Sequence, residues 1–82
     1  MAAVTYSPAD IDRHVGVKLR EARKAAGVSQ TELGKAIGVT FQQIQKYERG
    51  TNRVSASAMW GLCQALGIEP VQLFPPQQPR TN

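Results

Sequence analysis

Residues 30–50, QTELGKAIGVTFQQIQKYERG, decide how this chain folds. Just ahead of the stretch, Ser29-Gln30-Thr31-Glu32 has the form of a capping box, in which a serine hydroxyl and a glutamate carboxylate each occupy an amide that a new helix leaves unpaired. Eleven residues on, Thr40-Phe41-Gln42-Gln43 repeats the box in its T-x-x-Q form, with Gln43 as the expected reciprocal cap of Thr40. Gly38 falls between the two, where a positive φ costs glycine little. The reading is a short helix ending near Gly38, a tight turn, and a further helix over 40–49 that Gly50 closes. Leu33, Ile37, Val39, Ile44 and Tyr47 fall where such a pair packs together, and Gly34 where the two helices come closest.

Working outward, Ser7-Pro8-Ala9-Asp10 supplies an N-cap, a first-turn proline and a first-turn carboxylate. A first helix is expected from there to about Ala26, closed by Gly27, with Ile11, Val15, Leu19, Ala22 and Ala26 in one apolar stripe and Asp12, Arg13, Arg20 and Lys24 outside it. Downstream, Ser55 caps a fourth helix whose Met59, Leu62, Cys63 and Leu66 follow the i, i+3, i+4, i+7 rule, and Gly67 stops it. A last short helix from about Pro70 to Phe74 brings Val71, Leu73 and Phe74 to the core. The expected architecture is all-α, five helices in a single domain over 7–74, with a flexible leader over 1–6 and a disordered proline-rich tail over 75–82.

With 82 residues, 41% hydrophobic and 20% charged, the chain has enough apolar content for one small core. A formal charge of +4 suits a polyanionic partner. The one cysteine, Cys63, makes no intrachain disulfide, and with the one histidine, His14, it falls short of a zinc ligand set, so neither metal nor cofactor is expected. Cys63 reads as a small core residue and His14 as a surface one. Neither a signal peptide nor a membrane span is evident, which points to the cytoplasm. There is no nucleophile with a paired base, no convergent carboxylates and no phosphate-cradling glycine loop, so catalysis is not expected.

Two short helices joined by a tight turn in a basic bundle form a helix-turn-helix, whose second helix lies in the major groove of duplex DNA. With Ile44 taken as inward, Gln45, Arg49, Gln42 and Lys46 fall about 100° to 200° around the helix and share an outward face. Glutamine pairs bidentately with adenine, arginine or lysine with guanine, so this face has the chemistry to read base edges. Phe41 lies between core and groove. Glu48 falls only about 40° from Ile44, where an unpaired carboxylate is costly, and Arg23, at the edge of the first helix's stripe, is its expected partner.

The stretch LREARKAAGVSQTELGKAIGVTFQQIQKYERGTNR, Leu19 to Arg53, resembles the phage repressor and Cro family, the XRE-type regulators, and within it FQQIQKYERGTNR resembles an alphaproteobacterial group. The resemblance implies a lambda-repressor-like domain. It also implies base contacts from Thr40, Phe41, Gln42, Gln45 and Lys46, and phosphate contacts from Gln30, Arg49, Thr51, Asn52 and Arg53. It implies a repressor bound as a homodimer to a pseudo-palindromic operator, and the known docking geometry of that family sets the half-sites one helical turn, about 34 Å, apart. No ligand-sensing or oligomerisation domain is expected after residue 74. Trp60, Leu73 and Phe74 are candidates for the dimer interface, since the outward helix face offers no apolar patch. The alternative from another class is an antitoxin-type interaction module with a protein partner that regulates its own operon. RNA is a third candidate partner, less suited to a rigid helix face without exposed stacking aromatics.

Overall fold

The computed structural model describes residues 6–77, and most of the leader and tail named above lies outside them. Four α-helices follow one another: α1 Pro8–Ala25, α2 Gln30–Ile37, α3 Phe41–Arg49 and α4 Ala56–Leu66. Where a fifth helix is expected there is a single 3-10 turn, Pro70–Leu73. Proline at its first position can start a turn but donates no amide, and the chain leaves in extended form at Phe74 ahead of Pro75 and Pro76.

Each helix begins on the side chain the sequence offers. Ser7 and Ser29 accept from the amides of Asp10 and Glu32 while those carboxylates accept from the serine amides, closing both boxes. Thr40 Oγ1 accepts from the Gln43 amide at 3.1 Å, but the Gln43 side chain does not return the bond, so only half of the expected third box forms. Ser55 caps α4 by accepting from Ala58. Gly38 caps α2 at φ +78°, a left-handed conformation that turns the chain into α3 with only Gly38, Val39 and Thr40 between the helices.

The core is Val15, Leu19, Leu33, Ile44, Tyr47, Leu62, Cys63 and Leu73, drawn from all four helices and the 3-10 turn. α3 packs on α1 and α2, α4 packs on α2, and the 3-10 turn closes against α1 and α4. Ile37, Val39, Met59 and Leu66 are half-buried around this centre. Ala26 is exposed as the C-cap of α1, and Val28 takes the inward place after the chain turns at Gly27. His14 is half-buried, and its Nε2 is shielded without a hydrogen-bond partner among the described residues.

Two glycines set how closely α3 can approach. A Cβ on Gly34 would stand 2.6 Å from the Val39 carbonyl oxygen, and one on Gly16 would stand 2.5 Å from the carbonyl oxygens of both Tyr47 and Glu48. Backbone cannot yield as a side chain can, so the α1–α3 and α2–α3 spacings depend on the missing methyls. Gly34 was legible as a close approach in the sequence; Gly16 was not.

Candidate nucleic-acid interface

The site begins with an ion pair that anchors α3 to α1. Arg23 Nε donates to Glu48 Oε2 at 2.6 Å and Nη2 to Oε1 at 3.1 Å, a two-point pairing that uses both carboxylate oxygens. Nη1 also donates to the Val28 carbonyl at 3.0 Å, tying the α1–α2 link to the same group. The side chains are 11% and 3% exposed, so each charge depends on the other for its solvation. The Glu48 hydrogen bond pushes the Arg23 pKa further up, with burial opposing it, and the guanidinium stays charged at any working pH.

Gln30 adds what the sequence did not show. Its Nε2 donates to Glu48 Oε1 at 3.0 Å, so the first residue of α2 is held to the last turn of α3 by the carboxylate that α1 already grips. One Nε2 hydrogen is used in this way and the second remains for another acceptor.

With Ile44, Tyr47 and Glu48 buried, Gln42, Lys46 and Arg49 are exposed and Gln45 is half-buried on the opposite side of α3. Phe41 is 43% exposed at the first position of the helix. Thr40 is exposed, and its oxygen caps the helix while its hydroxyl proton remains to donate. Thr51 follows the Gly50 C-cap of α3, and its hydroxyl and backbone amide both donate to the Lys46 carbonyl, at 3.2 and 3.0 Å, which holds it at the end of the helix. Asn52 gives its backbone amide to the same carbonyl, and among the described residues its side chain has no hydrogen-bond partner. Arg53 Nε donates to both Asp12 carboxylate oxygens at 3.3 Å, and its side chain is otherwise largely exposed.

The interface candidates divide in the same way. Leu73 is 1% exposed and belongs to the core, which corrects its place among the candidates for a dimer surface. Phe74 is 44% exposed beside Ile11, Val54 and Met59, and Trp60 is 66% exposed at the rim of a groove of about 720 Å³ between α2 and α4. Cys63 is buried, and burial pushes its thiol pKa up, away from reactivity. Among the described residues no group of three or more His, Cys, Asp or Glu is placed to hold a metal, and no helix is long and apolar enough to cross a membrane.

A buried two-helix unit with a polar, cationic outer helix face is the architecture of a DNA-binding helix-turn-helix domain. Residues 19–73 match the family described as Helix-turn-helix, and the chain belongs to that family, in its XRE or Cro/C1 type. It is 51% identical over 67 residues to the uncharacterized HTH-type transcriptional regulator y4wC of Sinorhizobium fredii, covering 82% of this chain and 47% of that protein. The chain thus spans about half the length of the curated relatives it first matches. Among solved structures it superposes on the restriction-modification controller protein C.AhdI of Aeromonas hydrophila with a TM-score of 0.72 and 39% identity, over 76% of this chain and 94% of that one. The P22 c2 repressor, solved in complex with a synthetic operator, matches with a TM-score of 0.69 and 30% identity, over 73% and 91% of the two chains.

Proposed function

We propose that this domain is a sequence-specific duplex-DNA-binding repressor, without catalytic activity of its own, that acts in the cytoplasm on a pseudo-palindromic operator as a homodimer, with α3 in the major groove. The observation that carries the reading is the division of α3: Ile44, Tyr47 and Glu48 are buried against α1 and α2, while Gln42, Lys46 and Arg49 stand exposed on the other side. Bidentate partners for adenine and guanine are thereby presented on a short, firmly anchored helix. Thr40, Phe41, Gln42, Gln45 and Lys46 are assigned to base edges, and Gln30, Arg49, Thr51, Asn52 and Arg53 to phosphates. The operator-bound P22 c2 repressor and the controller protein C.AhdI support a regulatory role for the same fold.

Homodimerisation needs an apolar surface away from α3, and the exposed indole of Trp60 beside the α2–α4 groove supplies one. The same patch would serve the antitoxin-type reading, in which a different protein covers it. Selection from a random duplex pool, with the mass of the recovered complex, separates these readings. The proposal expects a palindrome with half-sites about one helical turn apart and two chains per duplex. A pool that yields no enriched sequence would refute it, and a complex holding one chain with a second protein would favour the antitoxin reading.

A further inference from the structure

α1 lies outside the helix pair assigned to DNA, yet it contributes a residue to the same surface. A cleft of about 300 Å³ opens where α1, the first turn of α2 and the last turn of α3 meet, lined by Arg20, Gln30, Gln45, Glu48 and Arg49. Its charges do not balance internally. Both oxygens of Glu48 are taken by Arg23, and one of them also by Gln30, so the acid in the cleft wall is already neutralised. Among the described residues neither Arg20 nor Arg49 has a carboxylate within salt-bridge distance, whereas Arg13, Lys18, Arg23 and Arg53 each have one. Two unpaired guanidiniums therefore border one small polar space beside the positive end of α2, and an anion is the missing complement.

We propose that Arg20 is a DNA-phosphate ligand, which together with Arg49 clamps a backbone phosphate over the first turn of α2, at the free Nε2 hydrogen of Gln30. The inference rests on the duplex-DNA reading and extends it: α1 becomes a third element touching the duplex and fixes the angle at which α3 enters the groove. The clamp reads no bases, because phosphates are the same at every step. Its effect belongs to affinity and salt dependence.

The test titrates the wild-type domain, Arg20→Gln, Arg20→Lys and Lys18→Gln against a selected duplex and a random one over a series of salt concentrations. Lys18 is the control: it carries the same charge on the same helix, but it pairs with Glu21 at 3.5 Å and borders the 3-10 turn instead of the cleft. Arg20→Gln is expected to weaken both duplexes by a similar factor, on the order of tenfold, and to flatten the slope of log K against log salt by about 0.9. Arg20→Lys keeps the charge and loses the fork, so it should retain most of the slope while binding less tightly than wild type. Melting temperatures should be unchanged, since Arg20 is exposed. A wild-type slope in Arg20→Gln, or an equal flattening in Lys18→Gln, would overturn the clamp while leaving DNA binding intact. A wild-type domain that binds no duplex at all would overturn both together.

Discussion

The Glu48 side chain ties three helices together. One carboxylate receives donors from α1 and from the first residue of α2 while its own backbone belongs to α3. Glu48→Ala strands the Arg23 guanidinium in a site where its side chain is only 11% exposed, and the expected loss is about 3–5 kcal/mol of folding stability, read by denaturant titration. Replacing Arg23 and Glu48 together with Met and Leu should cost far less, because no charge is then left buried without a partner. An unchanged midpoint for Glu48→Ala would contradict the anchoring role. The pair itself was legible in the sequence, since an acid about 40° from the inward direction of a helix needs a cation. Gln30's bond to that acid was not, because the two lie 18 positions apart and only the packing of α2 on α3 brings them together. Arg20 was legible in principle: once Arg23 is turned toward α3, the residue one turn earlier lies along the same side of α1.

At the scale of the elements, the starts of the helices were readable because they are local chemistry, serine or threonine against an amide three residues on. The end of the fold was not, because Val71, Leu73 and Phe74 give an apolar pattern too short to distinguish a helix from a 3-10 turn. That pattern also left Leu73's burial undecided; it is settled only by the closure of the turn against α1 and α4. Spacings between elements were half legible. Gly16→Ala tests the part that was missed: its methyl meets two α3 carbonyl oxygens at 2.5 Å, and the expected cost is about 1–3 kcal/mol, or outright failure to fold, against the small gain alanine brings to an unconstrained helix. Equal or raised stability would mean that α1 and α3 are not held this close. The N-terminus of α1 makes a separate prediction. The Ser7 amide, donating to Asp10 at 3.2 Å, holds that carboxyl below the ordinary carboxylate range, and the Ser7 hydroxyl bond acts in the same direction. A carboxyl whose pKa is lowered by folding contributes in full above its unfolded pKa and loses that contribution as pH falls through the folded value. Protection of the first-turn amides of α1, taken relative to their intrinsic exchange rate at each pH, should therefore fall on acidification below the ordinary aspartate range, and Asp10→Asn should remove that fall.

For the molecule as a whole, the formal charge of +4 says only that a polyanion is a suitable partner; its distribution says where. Four cations are paired with acids, and among the described residues Arg20, Lys24, Lys35, Lys46 and Arg49 are not, with Arg20, Lys46 and Arg49 on or beside the outer side of α3. Family membership and the architecture were within reach of the sequence because capping, turn and core signals agree over Leu19 to Arg53. The surface for the proposed dimer was not, because one chain carries no record of a partner for the exposed Trp60. Two kinds of contact should separate in binding experiments. Arg53→Ala, removing an exposed cation, should weaken all duplexes alike and flatten the salt slope, whereas Gln42→Ala or Lys46→Ala should relax discrimination at one base pair by about 1–3 kcal/mol. The central claim is that the outer side of α3 reads bases, and the most direct measurement of it compares wild type with Gln42→Ala on the selected operator and on every single-base variant of it. Wild type is expected to discriminate along the half-site, and the variant to lose discrimination at one position while keeping it at the others. A variant that discriminates as wild type does, or that loses affinity evenly across all the duplexes, would contradict it.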